Sequence, residues 1–108
     1  MIVYFNQTKT AKLKEIVFLE AIINSTIIHL KSGDVIKVGK TLKKFEGDFL
    51  PGNFFRVNRK CIVNLDLVKT KKKRNGQIFV KIMGNPEIPI SRRRIVIFEN
   101  FLKNMNRS

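Results

Sequence analysis

The chain consists of short apolar runs separated by turn-forming residues. EIVFLEA (15–21) and TIIHL (26–30) are rich in β-branched and aromatic residues, and the polar pair Asn24-Ser25 lies between them. KSGDVIKV (31–38) begins with a turn signal, and Asn75-Gly76 separates two further β-rich runs, which is the strongest short-range signal for a tight hairpin. This pattern predicts about eight to ten short strands.

Two segments follow a helical period instead. Thr41 precedes LKKFEGDFL (42–50), which Pro51-Gly52 ends, so we predict a Thr-capped central helix of about two turns. Ser91 precedes a C-terminal pattern with apolar residues at helical spacing, namely Ile95, Phe98, Leu102 and Met105. Because only one helix-like segment lies between strands, parallel layering is disfavoured. The predicted fold is mainly β, with antiparallel strands, a short central helix and a C-terminal helix.

Length and charge limit the kind of protein. A chain of 108 residues has the usual size of one domain, so residues 1–108 are expected to form a single domain. Twenty-two Lys and Arg residues oppose eight Asp and Glu residues, and the formal charge of +14 predicts a polyanionic partner. No apolar run approaches the ~20 residues that span a bilayer, and the N-terminus lacks a signal-peptide pattern. We therefore expect a cytoplasmic location.

No familiar catalytic or metal-binding signature is present. The sequence contains no Walker A, GxSxG, HExxH or CxxC motif, and one cysteine with one histidine cannot form a disulfide or a structural zinc site. His29 lies on a predicted strand and Cys61 lies in an apolar run, positions that favour packing over catalysis. We expect a binding protein without cofactor, metal or small-molecule substrate, rather than an enzyme.

The stretch FFRVNRKCIVNLD (54–66) does not fit one continuous strand. Alternation with period two would place Arg59 on the same face as Val57 and the apolar residues beyond it, and so direct a charge into the core. A strand that ends near Val57, followed by a turn with Asn58 in the left-handed conformation, avoids this conflict. Arg59 and Lys60 would then project from the β framework, where arginine suits bidentate contact with guanine or phosphate.

Two cation clusters accompany this turn. One falls at the tip of the predicted Asn-Gly hairpin, where it either contacts phosphates or only discourages edge pairing: Lys71, Lys72, Lys73 and Arg74. The other falls in the first turn of the predicted C-terminal helix: Arg92, Arg93 and Arg94. There each cation opposes the helix dipole at a cost of roughly a few tenths of a kcal/mol. Because free N–H groups at a helix N-terminus attract anions, this cost favours a phosphate partner.

Three segments together resemble the LytTR family, the DNA-binding domain of many bacterial response regulators: IVFLEAIINSTIIHLKSGDVI, TLKKFEGDFLPGNFFRVNRKCIVNLDLV and EIPISRRRIVIF. The resemblance covers about Lys12 to Leu102, and FFRV followed by IVNLD and a late IPISRR is a specific combination. It implies an elongated set of small antiparallel β-sheets with short helices. Such a domain binds double-stranded DNA without a recognition helix, inserts loops into successive major grooves and bends the duplex between them.

The resemblance also implies which residues contact DNA. The family's base-contacting groups lie after the EA dipeptide, after FFRV and beside the SR of the last motif, so we expect base contacts from Arg59, Arg93 and Asn24. The expected supporting or phosphate contacts are Ser25, Asn58, Lys60, Arg92, Arg94, Lys71, Lys72 and Lys73. Many members have His at position 58, an aromatic residue at 61 and Tyr at 25. These departures concern the target sequence rather than the binding mode.

Transcription regulation and paired direct repeats in the DNA follow from the same resemblance, with a monomer in solution and two copies on DNA. Two other partner classes remain open. An RNA- or ribosome-associated protein would usually display stacking aromatic residues, whereas the Phe residues here follow apolar patterns. Binding to an anionic membrane surface would favour a basic amphipathic helix, whereas the cations of the C-terminal pattern are concentrated at one end.

Overall fold

A computed structural model of the protein describes residues 1–46, 52–82, 84 and 87–105. Within these ranges lie ten strands: β1 (Ile2–Tyr4), β2 (Thr10–Lys12), β3 (Ile16–Ile22), β4 (Ser25–Leu30), β5 (Val35–Val38), β6 (Phe54–Arg56), β7 (Cys61–Asn64), β8 (Val68–Arg74), β9 (Gln77–Ile82) and β10 (Glu87–Ile90). All pairings are antiparallel. One α-helix, α1 (Ile95–Met105), follows the last strand. The predicted mainly β, antiparallel fold with a C-terminal helix is confirmed.

The central sheet has five strands in the order β5-β4-β3-β7-β6, and both of its faces are covered. Phe18 of β3 pairs with Val63 of β7, and both belong to the core beneath the second sheet and α1. The next pair along the ladder, Leu19 and Ile62, belongs to a separate core beneath β1 and the turn at Leu42–Phe45. Burial on two faces explains why the sequence of β3 is a continuous apolar run rather than an alternation.

The second sheet, in the order β10-β9-β8, packs against one face of the central sheet together with α1. Its hairpin turns at Asn75 and Gly76, with φ of 52° and 79°, as the Asn-Gly pair predicts. Phe98 of α1 is fully buried, and its ring centroid lies 5.7 Å from that of Phe55. In the described part of the chain, no helix is long and apolar enough to cross a membrane.

The predicted helix caps are wrong. Neither Thr41 nor Ser91 makes a side-chain cap hydrogen bond, because each helical segment begins as a tight 3-10 turn that uses the backbone carbonyl instead. Leu42–Phe45 is a single 3-10 turn, and residues 47–50 of the predicted central helix lie outside the described residues. Arg92–Arg94 form another 3-10 turn, so the three arginines precede α1 rather than form its first turn.

The N-terminal hairpin of β1 and β2 was not predicted. Ile2 pairs with Lys12 and Tyr4 with Thr10, in a two-stranded sheet. Its loop is closed by the Asn6 side chain, whose Oδ1 accepts hydrogen bonds from two backbone N–H groups, at 2.9 and 2.8 Å. Strands of three residues are too short for alternation to be recognised in sequence.

Replacing Phe98 by Ala should lower the free energy of unfolding by about 3–5 kcal/mol, because it removes a fully buried ring between α1 and the central sheet. Urea denaturation followed by circular dichroism measures the change. Val96→Ala on the exposed face of the same helix is the matched control, and should change stability by no more than about 0.5 kcal/mol. Equal effects of the two substitutions would contradict this packing.

Candidate nucleic-acid interface

The strand break predicted within FFRVNRKCIVNLD is confirmed. β6 ends at Arg56, β7 begins at Cys61, and Arg59 projects into solvent between them. The predicted left-handed Asn58 is wrong, because the only described non-glycine residues with positive φ are Ile23 and Asn75. The Asn58 side chain closes the turn instead, since its Oδ1 accepts a hydrogen bond from the Lys60 N–H at 2.7 Å.

Arg56 holds the backbone of this turn, a role that the sequence analysis missed. Its Nε donates to the Asn58 carbonyl at 3.2 Å, and its Nη2 donates to the Arg59 carbonyl at 2.7 Å. Its Nη1 donates to the Glu46 carboxylate. One guanidinium therefore fixes two consecutive carbonyls of the turn and directs the Arg59 side chain outward. The available signal was a charged residue inside an otherwise apolar strand, FFRV.

The turn is also hydrogen-bonded to the segment around Ser91. Asn58 Nδ2 donates to the Pro89 carbonyl at 2.6 Å, and the Ser91 N–H donates to the Val57 carbonyl at 2.9 Å. Arg94 Nη1 donates to the Arg56 carbonyl at 3.2 Å, and this side chain is half-buried. Of the three consecutive arginines, the remaining two, Arg92 and Arg93, are exposed.

The hairpin of β3 and β4 reaches the same end of the central sheet. Glu20 pairs with Cys61, and the Ala21 N–H donates to the Lys60 carbonyl at 2.8 Å, so the end of β3 lies beside the β6–β7 turn. Ile22 pairs with Ser25, which places the two-residue turn at Ile23 and Asn24. The turn thus lies one residue earlier than the polar pair Asn24-Ser25 indicated.

We call this end of the molecule the loop edge and define it as Ile23–Ser25, Asn58–Lys60 and Arg92–Arg93. Within the described residues, the side chains of Asn24, Arg59 and Arg93 have no hydrogen bond or ion pair, and all three are exposed. An unpaired amide and two unpaired guanidinium groups therefore project from three neighbouring segments. These groups match the donor and acceptor patterns of base edges and phosphates.

A family model described as the LytTr DNA-binding domain matches residues 6–103. The chain belongs to the LytTR family of DNA-binding domains. Its fold is similar to the solved LytTr DNA-binding domain of a protein described as a DNA response regulator from Bacillus cereus, with a TM-score of 0.76 over 94% of each chain. At 17% sequence identity this likeness shows the fold alone. Among curated proteins, no relative matches the sequence.

The predicted hairpin cations of this LytTR domain lie along β8, and most of them are paired. Lys71 Nζ lies 3.5 Å from the Glu99 carboxylate of α1. Lys72 Nζ lies 3.3 Å from Glu87 Oε2, an ion pair without hydrogen-bond geometry, and Arg74 Nη2 lies 2.6 Å from Glu87 Oε1. Among the four, within the described residues, only Lys73 has no partner.

Glu87 is the shared partner of two of these cations. Desolvation by burial raises the pKa of the Glu87 carboxyl, but Lys72 and Arg74 outweigh this effect and hold the pKa below its ordinary value. Arg74 also lies over the Phe79 ring, 4.6 Å from its centroid. Both cations therefore have structural roles within the second sheet.

The lone cysteine and histidine of the LytTR domain are packed beside the loop edge. Burial raises the pKa of the Cys61 thiol to about 11, with Glu20 adding to the shift and Lys60 opposing it, so the reactive thiolate is disfavoured. The His29 ring stacks on Phe18 with centroids 4.0 Å apart, and its Nε2 lies 2.6 Å from the Glu20 carboxylate. These contacts account for both residues within the packing of the central sheet.

Asn58→Ala should lower the free energy of unfolding by about 1–3 kcal/mol, because the Lys60 N–H and the Pro89 carbonyl lose their partner. Chemical denaturation measures the loss. Asn24→Ala is the matched control, since it removes the same amide from an exposed turn where the described structure gives it no partner, and its stability should equal that of the wild type. A neutral Asn58→Ala would show that the side chain does not hold the turn.

Proposed function

We propose that this LytTR domain regulates transcription in the cytoplasm by binding specific sequences of double-stranded DNA. The observation that carries the proposal is the convergence of Asn24, Arg59 and Arg93, all unpaired, at one end of a hydrogen-bonded β framework. Arginine makes bidentate contacts with guanine O6 and N7, and asparagine makes them with adenine N6 and N7. In this proposal these three side chains contact bases.

The loops, rather than a helix, enter the DNA in this proposal. α1 places Phe98 in the core, and the three side chains proposed to contact bases, Asn24, Arg59 and Arg93, all lie outside this helix. Adjacent major grooves on one face of B-DNA are about 34–36 Å apart. The domain measures 41 × 33 × 25 Å, so one loop edge would occupy one major groove, and insertion into successive grooves, which the family resemblance implies, stays a prediction.

The other expected contacts divide into two groups. Ser25, Lys60 and Arg92 lie on the loop edge and are proposed to bind phosphates, which position the protein without selecting sequence. Asn58 and Arg94 hold neighbouring backbone carbonyls through hydrogen bonds. We propose that these two act indirectly, by fixing the directions of Arg59 and Arg93.

Two copies on direct repeats are proposed for the complex. One loop edge offers three base-contacting side chains, and each mismatched base pair changes affinity by only about 1–3 kcal/mol. A single domain would therefore discriminate weakly against the many competing sites of a genome. We propose that the protein is a monomer in solution, with residues 1–108 forming one domain. Two such copies bound to adjacent repeats would multiply the discrimination between sequences.

Binding to RNA is the second candidate function, and the position of the aromatic residues opposes it. Single-stranded RNA is usually bound by exposed aromatic side chains that stack on bases. In the described structure the Phe rings are buried or half-buried, and the one exposed aromatic residue, Tyr4, lies on β1. Non-enzymatic binding to duplex DNA is therefore the function that the geometry supports best.

Arg59→Ala and Arg93→Ala should each weaken binding to the preferred duplex by about 1–3 kcal/mol, because each removes a bidentate donor from a base edge. The preferred duplex is first obtained by selection from random sequences, and affinity is then measured by fluorescence anisotropy. Lys14→Ala removes one exposed charge near the start of β3, at the opposite end of the sheet, and serves as the charge-matched control.

Wild-type affinity of both arginine variants would refute the assignment of the loop edge. If selection enriches no duplex while structured RNA binds tightly, the RNA candidate replaces the DNA proposal. Unchanged thermal unfolding of the two variants is expected, because neither side chain has a partner in the described structure.

The cations of β8 generate a separate prediction. Replacing Lys71, Lys72 and Lys73 together by Ala should weaken binding to all duplexes alike and flatten the log–log salt dependence by about 0.9 for each lost phosphate contact. Because Lys71 and Lys72 are paired with Glu99 and Glu87, the single variant Lys73→Ala should account for most of the change. An unchanged slope in the triple variant would show that these lysines only keep the edge strand soluble.

A further inference from the structure

The turn between β3 and β4 contains a residue that its geometry disfavours. Ile23 has φ of 50°, a conformation in which the β-branched side chain of isoleucine crowds its own backbone. Asn24, the second residue of the turn, does not have positive φ. Positive φ at the first central residue only is the pattern of a type II′ hairpin turn, which normally has glycine at that position.

The exposure of Ile23 makes isoleucine still less favourable at this position in the free protein. The Ile23 side chain is 93% exposed, and it belongs to neither hydrophobic core. The β8–β9 hairpin of the same chain uses Asn75 and Gly76, both suited to positive φ. Neither local conformation nor packing in the described structure therefore explains isoleucine at position 23.

The position of Ile23 indicates which interaction could compensate for its unfavourable φ and its exposure. The Ala21 N–H donates to the Lys60 carbonyl, so the β3–β4 turn lies beside Lys60 and on the same loop edge as Arg59. The rest of that edge is polar or cationic: Asn24, Ser25, Asn58, Arg59, Lys60, Arg92 and Arg93. Ile23 is its exposed apolar tip, with Ile22 behind it at 42% exposure.

The apolar group that a major groove presents is the 5-methyl group of thymine. We propose that the Ile23 side chain packs on a thymine methyl and thereby makes this domain select thymine next to the base contacted by Asn24. An A·T pair presents the adenine edge and the thymine methyl in one groove, so the two consecutive residues of the turn suit one pair or two neighbouring pairs. This inference rests on the proposed function and names the base chemistry of one of its loops.

The test uses the preferred duplex from selection, with each thymine replaced in turn by deoxyuridine, which lacks the methyl group and keeps its base pairing. At one or two positions wild-type affinity should fall about fourfold, the change that corresponds to burying one methylene-sized group. Ile23→Gly should bind the thymine and deoxyuridine duplexes equally, at the level of the wild type on deoxyuridine or below.

Two further variants control for folding and for general loss of apolar surface. Ile23→Gly and Ile23→Asn should both unfold at the wild-type temperature or above it, because glycine and asparagine tolerate positive φ. Ile2→Ala removes apolar surface from a side chain that is 51% exposed on β1. The Leu13 N–H donates to the Met1 carbonyl, and Leu13 lies three residues before the start of β3. Ile2 therefore lies near the first residues of β3, at the end of the central sheet opposite the loop edge. Ile2→Ala should retain the full thymine preference.

The results separate this inference from the proposed function. A thymine preference that persists in Ile23→Gly, or deoxyuridine substitution that is silent at every position, overturns the role of Ile23 while leaving the effects of Arg59→Ala and Arg93→Ala intact. If no duplex is enriched by selection, both proposals fail together. Both proposals are supported if Ile23→Gly loses the preference for thymine over deoxyuridine, Ile2→Ala keeps it, and Arg59→Ala and Arg93→Ala still weaken binding.

Discussion

The hydrogen bonds around the β6–β7 turn determine how the three segments of the loop edge lie relative to one another. Arg56 binds two carbonyls of the turn, and Asn58 joins the turn to β10. The backbone of β3 donates to the same turn through Ala21. A loop held from three sides loses less conformational entropy when it binds, and preorganisation of this kind increases affinity without any added contact. The positions of the exposed arginines thus depend on side chains whose own hydrogen bonds are made within the protein.

Much of this arrangement could be predicted because it depends on local patterns. The charge in the middle of FFRVNRKCIVNLD required a break, and the Asn75-Gly76 pair required a tight hairpin; both are present. The position of the strand break could be predicted from the sequence, but the contacts that hold the turn there could not. The Asn58 side chain closes the turn through the Lys60 N–H, and it also donates to the Pro89 carbonyl, a partner 31 residues away that no local pattern reveals.

Features that depend on tertiary partners were missed or misjudged for the same reason. Arg56 looked like one residue of a strand, although its role depends on Glu46 and on the path of the chain beyond Val57. The cations of β8 looked free, whereas α1 and β10 supply Glu99 and Glu87 as partners. The polar pair Asn24-Ser25 indicated a turn that excludes Ile23, and only the register of β3 on β4 places Ile23 in the turn.

The distribution of the acidic residues leaves a positive charge at the loop edge. No acidic residue occurs in 22–25, 58–60 or 91–94, and in the described structure Glu20 and Glu46, which lie beside the β6–β7 turn, are bound to His29 and Arg56. Exposed charges are screened over about 8 Å at physiological ionic strength. The field at the loop edge is therefore set by its own cations rather than by the total of +14. In the proposed complex those cations would attract any duplex, so selection among duplexes would come from the few groups that meet base edges, where the apolar Ile23 side chain would add a contact that charge cannot supply.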